Sequence, residues 1–260
     1  MGILENKVAV ITGTAAGIAK QTAIRFVEEG AKIIMCDINE QGLKETEKIL
    51  VEKGGEVLSL VLDINNFEQL EDMVKKGVEK FGTIDILMNA AVGVGSKDSA
   101  AMPFAEMPIE TLEKHSKVVL SYAYLMQLCY PYMKGKESSI INFSSSMHYA
   151  SMQGNPLYLT HGAVPKAAIS GLTRSVADEW GVDGIRVNNV YPSVVTDTLE
   201  KSGYGLDHLI PAMSRNAFKR PGNPYLDIAG VCVFLAGPDS RFMTGQSLFA
   251  EGGSAMGRGC

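Results

Sequence analysis

The stretch that decides the fold is K-V-A-V-I-T-G-T-A-A-G-I-A, residues 7–19. Residues 7–12 form a short apolar, β-branched run that predicts a buried strand. Residues 17–30 carry apolar side chains at a helical spacing, so the pattern predicts a strand, a tight turn and a helix. Gly13 permits the turn, and Gly17 lets the backbone approach a bound group closely. The N–H groups at the start of this helix favour an anion such as a phosphate.

An acidic residue follows the second predicted strand. This residue, Asp37, lies 24 positions after Gly13, the arrangement of a dinucleotide-binding βαβ unit. A carboxylate there accepts a hydrogen bond from the adenosine ribose 2′-hydroxyl and repels a 2′-phosphate. Because Ala16 stands before the second glycine and no basic residue is present there to neutralise a phosphate, the sequence predicts NAD rather than NADP. The predicted contacts at the turn are Gly13, Ala16, Gly17 and Ile18.

Asp63 and Ile64 follow directly on the third predicted strand. In one interpretation they lie where the adenine of a bound dinucleotide would rest. In the other, Asp63 caps the helix that comes next. The sequence leaves both interpretations open.

Strands and helices alternate along the whole chain. The predicted strands are residues 7–12, 31–36, 57–62, 84–89, 140–144, 185–191 and 246–249, and the predicted helices are residues 17–30, 41–53, 67–81, 112–133, 167–180 and 226–235. Strict alternation predicts a parallel sheet with helices on both faces. The fold class is therefore α/β, a single Rossmann-like doubly wound sheet of seven strands. Seven strands leave no room for a second unit, so residues 1–260 are expected to form one domain.

A long irregular stretch, residues 196–224, is rich in Gly, Ser and Pro. It is either a surface excursion or a substrate lid at the carboxyl ends of the strands, where doubly wound sheets bind ligands. We expect a substrate lid.

Composition excludes several classes of protein. The chain has 260 residues, 46% hydrophobic and 20% charged, with a net charge of −5, so a nucleic-acid partner is not expected. No apolar run approaches the length of a membrane span, which is about 20 residues. The four histidines and four cysteines form no ligand cluster, so a metal site is not expected. Scattered cysteines and an N-terminus without a targeting leader predict free thiols and a cytoplasmic protein.

Seven short motifs along the chain resemble those of the short-chain dehydrogenase/reductase family. They are T-G-x-x-x-G-I-x at 12–19, N-A-A at 89–91, S-S-S at 144–146, K-A-A at 166–168, R-V-N at 186–188 with Y-P-S at 191–193, and E-G-G at 251–253. The resemblance implies a nicotinamide cofactor, hydride transfer, and a homotetramer or homodimer. It also implies cofactor contacts at Asn89, Ala91, Pro192, Thr196 and Lys166. Met147, Met152 and Met213, in the site loops and the lid, fit an adaptable apolar pocket, so a small apolar substrate is expected.

The family's chemistry uses a phenol that exchanges a proton with the substrate oxygen, a lysine that holds the nicotinamide ribose, and a serine that orients the substrate. By resemblance the lysine is Lys166 and the serine is Ser145. The phenol normally stands four residues before the lysine, but Gly162 occupies that position here. Tyr158, 13 residues after Ser145, has the family's serine-to-tyrosine spacing and is one replacement. We expect it in a loop, because Pro165 predicts that the next helix begins near residue 165.

A second replacement is Tyr149. The segment F-S-S-S-M-H-Y, residues 143–149, resembles the 2,4-dienoyl-CoA reductase branch of the same family, in which a tyrosine soon after strand five acts as the acid. In that branch a polar asparagine lies where Ser121 stands here.

Three functions follow from these residues. The first is an NAD-dependent oxidoreductase of a carbonyl or hydroxyl group on an apolar, ring-like or steroid-like substrate, with Ser145 and Tyr158 on the oxygen. The second is a carbon–carbon double-bond reductase of an enoyl or dienoyl thioester, with Tyr149 on the conjugated carbonyl. The third is a catalytically silent NAD-binding scaffold.

Overall fold

The computed structural model describes residues 2–92, 102–145, 159–197, 210–211 and 213–254. The strands in these ranges are β1 (Val8–Thr12), β2 (Lys32–Asp37), β3 (Val57–Val61), β4 (Ile86–Asn89), β5 (Ser138–Phe143), β6 (Ile185–Pro192) and β7 (Ser247–Ala250). They form one sheet in the order β3-β2-β1-β4-β5-β6-β7, and every neighbouring pair is parallel. The prediction of a seven-stranded parallel sheet is confirmed.

Helices cover both faces of the sheet, as predicted. In the described ranges they are α1 (Gly17–Glu28), α2 (Glu40–Glu52), α3 (Phe67–Phe81), α4 (Ile109–Met133), α5 (Thr160–Trp180) and α6 (Gly230–Ala236), and a π-helical turn (Pro224–Ala229) leads into α6. Helices α1, α2 and α6 pack on one face, and α3, α4 and α5 pack on the other.

Strand β1 supplies side chains to both cores. Ala9 and Ile11 belong to the core under α1, while Val8 and Val10 belong to the core under α4. All five residues of β1 are buried, which explains its continuous apolar pattern.

The start of helix α5 differs from the prediction. The sequence places it near residue 165, but the helix begins at Thr160, where the N–H groups of Gly162 and Ala163 bond to the carbonyl oxygen of Leu159. Pro165 is the sixth residue of the helix, and it is buried. Tertiary packing therefore lets the helix begin earlier in the chain than the position of the proline alone would predict.

The strand order reverses between β1 and β4, which are neighbours although β2 and β3 separate them in sequence. In doubly wound sheets this reversal opens a crevice at the carboxyl ends of the strands, where ligands bind.

None of the helices in the described ranges is long and apolar enough to span a membrane. The same ranges bring together no group of three His, Cys, Asp or Glu side chains able to hold a metal ion. The described cysteines Cys36, Cys129 and Cys232 are buried and form no disulfide.

Candidate active site

The turn between β1 and α1 has the backbone geometry that the sequence predicts. Gly13 and Gly17 have φ angles of +80° and +62°, values that side-chain-bearing residues rarely adopt. A Cβ atom at position 13 would lie 2.9 Å from the Cα atom of Ala91, so β4 approaches the turn closely. Thr12 fixes this approach, because its hydroxyl accepts hydrogen bonds from the N–H groups of Ala90 and Ala91 at 3.0 and 3.1 Å.

Asp37 lies beside this turn. Its carboxylate accepts one hydrogen bond from the N–H of Ala15 at 3.0 Å and another from the N–H of Asn39 at 2.9 Å. Asp37, at the end of β2, is thus bonded to the turn that follows β1, although it lies 22 positions after Ala15 in the sequence. The remaining acceptor capacity of a carboxylate suits it to bind a ribose diol.

A cavity of about 830 Å³ connects these features. Its walls come from the carboxyl ends of β1 to β5, from α4 and from the chain after β6; the lining residues are Gly13, Ala15, Ala16, Gly17, Ile18, Ala19, Asp37, Ile38, Asn39, Leu62, Asp63, Ile64, Asn65, Ala90, Ala91, Val92, Lys114, Lys117, Phe143 and Thr196. The predicted contacts that line it are Gly13, Ala16, Gly17, Ile18, Asp37, Asp63, Ile64, Ala91 and Thr196. The structure brings together residues that lie up to 183 positions apart in the sequence, so no local sequence pattern includes all of them.

Asp63 belongs to the cavity wall and does not cap the following helix. Its carboxylate accepts hydrogen bonds from the backbone and side-chain nitrogens of Asn65 at 2.9 and 3.1 Å. The cap of α3 is Asn66, whose side-chain oxygen accepts from the N–H of Gln69 at 3.2 Å. The alternative of Asp63 as a cap is therefore wrong.

Three predicted cofactor contacts, Asn89, Lys166 and Pro192, are not among the residues that line the cavity. Asn89 is buried, and its amide donates to the side-chain oxygen of Asn142 at 2.9 Å, which ties β4 to β5. Pro192 ends β6, four residues before Thr196. Asn89 and Pro192 lie next to the site along the chain.

Lys166 is bonded to the cavity wall at the end of β5. It lies in the second turn of α5, and its ammonium donates a 2.7 Å hydrogen bond to the carbonyl oxygen of Phe143, a wall residue. Burial lowers the pKa of the Lys166 ammonium to about 8, because the side chain is removed from water. An ammonium has three donors, of which the bond to Phe143 uses one.

Ser144 and Ser145 follow Phe143 at the carboxyl end of β5. The Ser144 hydroxyl donates to the carbonyl oxygen of Lys166 at 2.7 Å and contacts the hydroxyl of Ser170 at 3.0 Å. Ser145 is only partly buried. Ser144 thus fixes α5 against β5, and Ser145 is the more exposed of the two residues.

The structure places Gly162 one helical turn before Lys166 on α5, so that turn offers no phenol to the site. Both tyrosines proposed in its place, Tyr149 and Tyr158, lie outside the described residues. Their positions relative to Lys166 stay predictions.

Three features of the site are not predicted from the sequence. Lys114 and Lys117, one turn apart on α4, bring positive charge to the cavity wall. The spacing of three residues is visible in the sequence, but nothing there indicates which side of α4 faces the cavity. The third feature is a hydrogen bond at the start of α1, from the N–H of Gly17 to the Oδ1 atom of Asp197 at 2.8 Å.

The described residues fit a dinucleotide. The first turn of α1 lines the cavity, and its N-cap residue Ala16 makes no side-chain cap hydrogen bond to the N–H groups there. Asp37 provides the acceptor for a ribose diol. The two groups thus match the phosphate and adenosine portions of such a ligand.

Comparisons with known proteins agree with this geometry. A family model described as Enoyl-(Acyl carrier protein) reductase matches residues 13–255. The 12alpha-hydroxysteroid dehydrogenase of a Clostridium species is 36% identical over 265 residues, covering 97% of this chain and 98% of the relative. The 7alpha-hydroxysteroid dehydrogenase of Escherichia coli K12 is 32% identical, covering 97% and 96%.

Solved structures share the whole fold. A carveol dehydrogenase from Mycobacterium avium in complex with NAD superposes with a TM-score of 0.88 at 26% identity, covering 98% of this chain and all of the other. A 7alpha-hydroxysteroid dehydrogenase complexed with NADH and 7-oxo glycochenodeoxycholic acid has a TM-score of 0.86 at 31% identity, covering 96% of this chain and 94% of the other.

Proposed function

Because the chain belongs to the short-chain dehydrogenase/reductase family, we propose that it is an NAD(H)-dependent oxidoreductase of a hydroxyl or carbonyl group on an apolar, steroid-like ring substrate. The observation that carries the proposal is the single cavity in which the start of α1, Asp37 and the Lys166-bound Phe143 meet. The prediction of NAD agrees with structural neighbours solved with NAD or NADH. When bound, NAD supplies the hydride acceptor, and NADH supplies the hydride.

The residues of the chain bind the cofactor and orient the substrate. The α1 N-terminus and Gly13–Gly17 turn hold the phosphates, and Asp37 accepts the ribose 2′-hydroxyl and repels a 2′-phosphate. Lys166 places a cation behind the nicotinamide ribose. Ser145 orients the substrate oxygen by hydrogen bonding.

Tyr158 is the proposed proton donor and acceptor at the substrate oxygen. A phenol is a weak acid, and a nearby ammonium favours its ionised form. Because Gly162 leaves the neighbouring turn of α5 without a phenol, the donor has to come from another segment. Tyr158 is only two residues before Thr160, the first residue of α5.

A steroid-like substrate is supported by the relatives, since both of those described above are named for hydroxysteroids and one structural neighbour was solved with 7-oxo glycochenodeoxycholic acid. We also propose residues 196–224 as the substrate lid of a single domain. Its C-terminal base is anchored by Arg220, which forms a bidentate pair with Asp227 at 2.6 and 2.9 Å. Residues 198–209 and 212 of this segment lie outside the described residues.

The alternative is reduction of a carbon–carbon double bond in an enoyl or dienoyl thioester, with Tyr149 on the conjugated carbonyl. One observation favours it: the matching family model carries the description of an enoyl reductase. A silent scaffold that binds NAD without turnover is the third possibility. We further propose a homotetramer or homodimer in the cytoplasm.

Turnover assays separate these functions. The purified protein is incubated with NAD⁺ and a panel of hydroxysteroids, and separately with NADH and an enoyl or dienoyl thioester, while nicotinamide absorbance is followed. Oxidation of a hydroxysteroid supports the first function, and thioester reduction alone supports the second. Binding of NADH without turnover of either class of substrate would support the third function, a silent NAD-binding scaffold.

A further inference from the structure

An acidic side chain already occupies the N-terminus of helix α1. The Oδ1 atom of Asp197 accepts a 2.8 Å hydrogen bond from the N–H of Gly17, which is 180 residues away in the sequence. The N-cap residue Ala16 has no side chain that could accept this bond, so Asp197 takes the capping role from a distant part of the chain. A carboxylate at this end of a helix is stabilising, because it faces the positive end of the helix dipole.

The same N–H group belongs to the turn that the proposed function assigns to the cofactor phosphates, and this inference rests on that function. A phosphate and the Asp197 carboxylate are both anions, and one N–H cannot serve both at 2.8 Å. The other acid of the turn does not compete here, since the Asp37 carboxylate is bonded to Ala15 and Asn39.

We propose that Asp197 is an internal competitor at the phosphate site, which the dinucleotide must displace, and that Asp197 thereby sets the affinity for the cofactor. The free energy of the cap is lost whenever a dinucleotide binds. The measured affinity is therefore weaker than the affinity of the same cavity without this carboxylate.

The chain around Asp197 limits how far the displacement extends. Val194 forms a β-bridge with Gly222, and the N–H of Gly222 donates to the carbonyl oxygen of Ser193 at 3.1 Å. Thr196, the neighbour of Asp197, lines the cavity. The chain up to Val194 is therefore held by these bonds, and displacement of the Asp197 carboxylate need not disturb it.

Affinity measurements test the competition. NADH is titrated calorimetrically into the wild type, into Asp197→Ala, and into the matched control Asp239→Ala, which removes one exposed acid elsewhere. We expect Asp197→Ala to lower the Kd of NADH about two- to tenfold, which corresponds to the free energy that a helix cap contributes. Asp239→Ala should leave the Kd unchanged. Asp197→Asn, which removes only the charge, should change the Kd in the same direction by less.

An unchanged or raised Kd in Asp197→Ala would overturn the competition, because it would make the carboxylate neutral or helpful to the cofactor. The melting temperature gives an independent reading of the cap: the ligand-free Asp197→Ala protein should melt about 1–4 °C below the wild type. The NADH-saturated proteins should melt together, since the cap is already broken in both. If neither protein binds NADH, the proposed function fails, whereas equal binding by both refutes only the competition.

Discussion

The Lys166 ammonium donates a 2.7 Å hydrogen bond to the carbonyl oxygen of Phe143, and this bond joins α5 to the wall of the candidate cofactor cavity. Lys166 is partly buried, and the loss of water around its ammonium lowers the pKa of this group to about 8. A charge-assisted bond holds the cation beside the wall residue Phe143, and an ammonium has two further donors.

The first prediction concerns the protonation of Lys166. Because the cationic form exists below its pKa of about 8, the affinity for NADH should decline as the pH rises through this value. Lys166→Met should raise the Kd about tenfold at pH 7, the worth of one hydrogen bond to a charged group, and its Kd should be flat across pH 7–9. Lys48→Met, at an exposed position of α2, is the matched control. A wild-type Kd that does not change across pH 8 would contradict the role given to the ammonium.

The same group predicts a pH effect on stability. The pKa of Lys166 is lower in the folded chain than its usual value of 10.5, so between about pH 8 and 10.5 the unfolded chain binds more protons. The free energy of unfolding of the wild type should therefore rise through this window relative to Lys166→Met. Urea unfolding of the two proteins at about pH 7.5, 8.5 and 9.5, a range within which Lys166 titrates, measures the difference in the free energy of unfolding. Parallel profiles for the two proteins would contradict the lowered pKa of Lys166.

The next prediction concerns the choice of cofactor. Asp37→Ala should relax the discrimination against NADP, because it removes the carboxylate that would repel a 2′-phosphate. The ratio of kcat/KM values for NAD and NADP should fall about 10- to 100-fold, which corresponds to one hydrogen bond to a charged group. Asp178→Ala, on the exposed side of α5, provides the control. Discrimination that survives the loss of Asp37 would move the source of specificity elsewhere.

Two glycines with similar φ angles allow the effect of backbone strain on stability to be distinguished from the effect of close packing. Gly13 and Gly54 have φ angles of +80° and +84°, but a Cβ would meet Ala91 at 2.9 Å only at position 13 and nothing within 4 Å at position 54. Gly54→Ala should lower the free energy of unfolding by about 1 kcal/mol. Gly13→Ala should lower it by about 1–3 kcal/mol more, because β1 and β4 are forced apart.

Denaturant unfolding of both glycine variants, with NADH titration of each, measures these effects. Gly54→Ala should bind NADH like the wild type. Equal losses of stability in the two variants would mean that the contact between Gly13 and Ala91 does not matter.

The sequence predicted the parts of the site that local chemistry determines. A turn that needs a positive φ selects glycine, so Gly13 and Gly17 are visible as a pattern. Asp37 is visible because a dinucleotide-binding unit has a standard length from its turn to its acid. These residues lie where the sequence places them, on the wall of one cavity.

The parts that depend on distant contacts could not be read in this way. Asp197 caps α1 from 180 residues away, and no periodicity or spacing connects the two segments. Asp63 and Asn66 are both residue types that cap helices, so only the hydrogen bond from Gln69 to Asn66 assigns the cap. Pro165 is a local signal for the first turn of a helix, yet burial of this residue inside α5 overrides it.

Turnover by the tyrosine variants tests the central claim most directly. The rate of hydroxysteroid-dependent NAD⁺ reduction is measured for the wild type, Tyr158→Phe and Tyr149→Phe, with NADH binding checked in each. We predict that Tyr158→Phe loses at least about 100-fold in kcat, as expected for removal of a general acid–base, while its NADH affinity and the turnover of Tyr149→Phe stay near wild type. Full turnover by Tyr158→Phe would contradict the account.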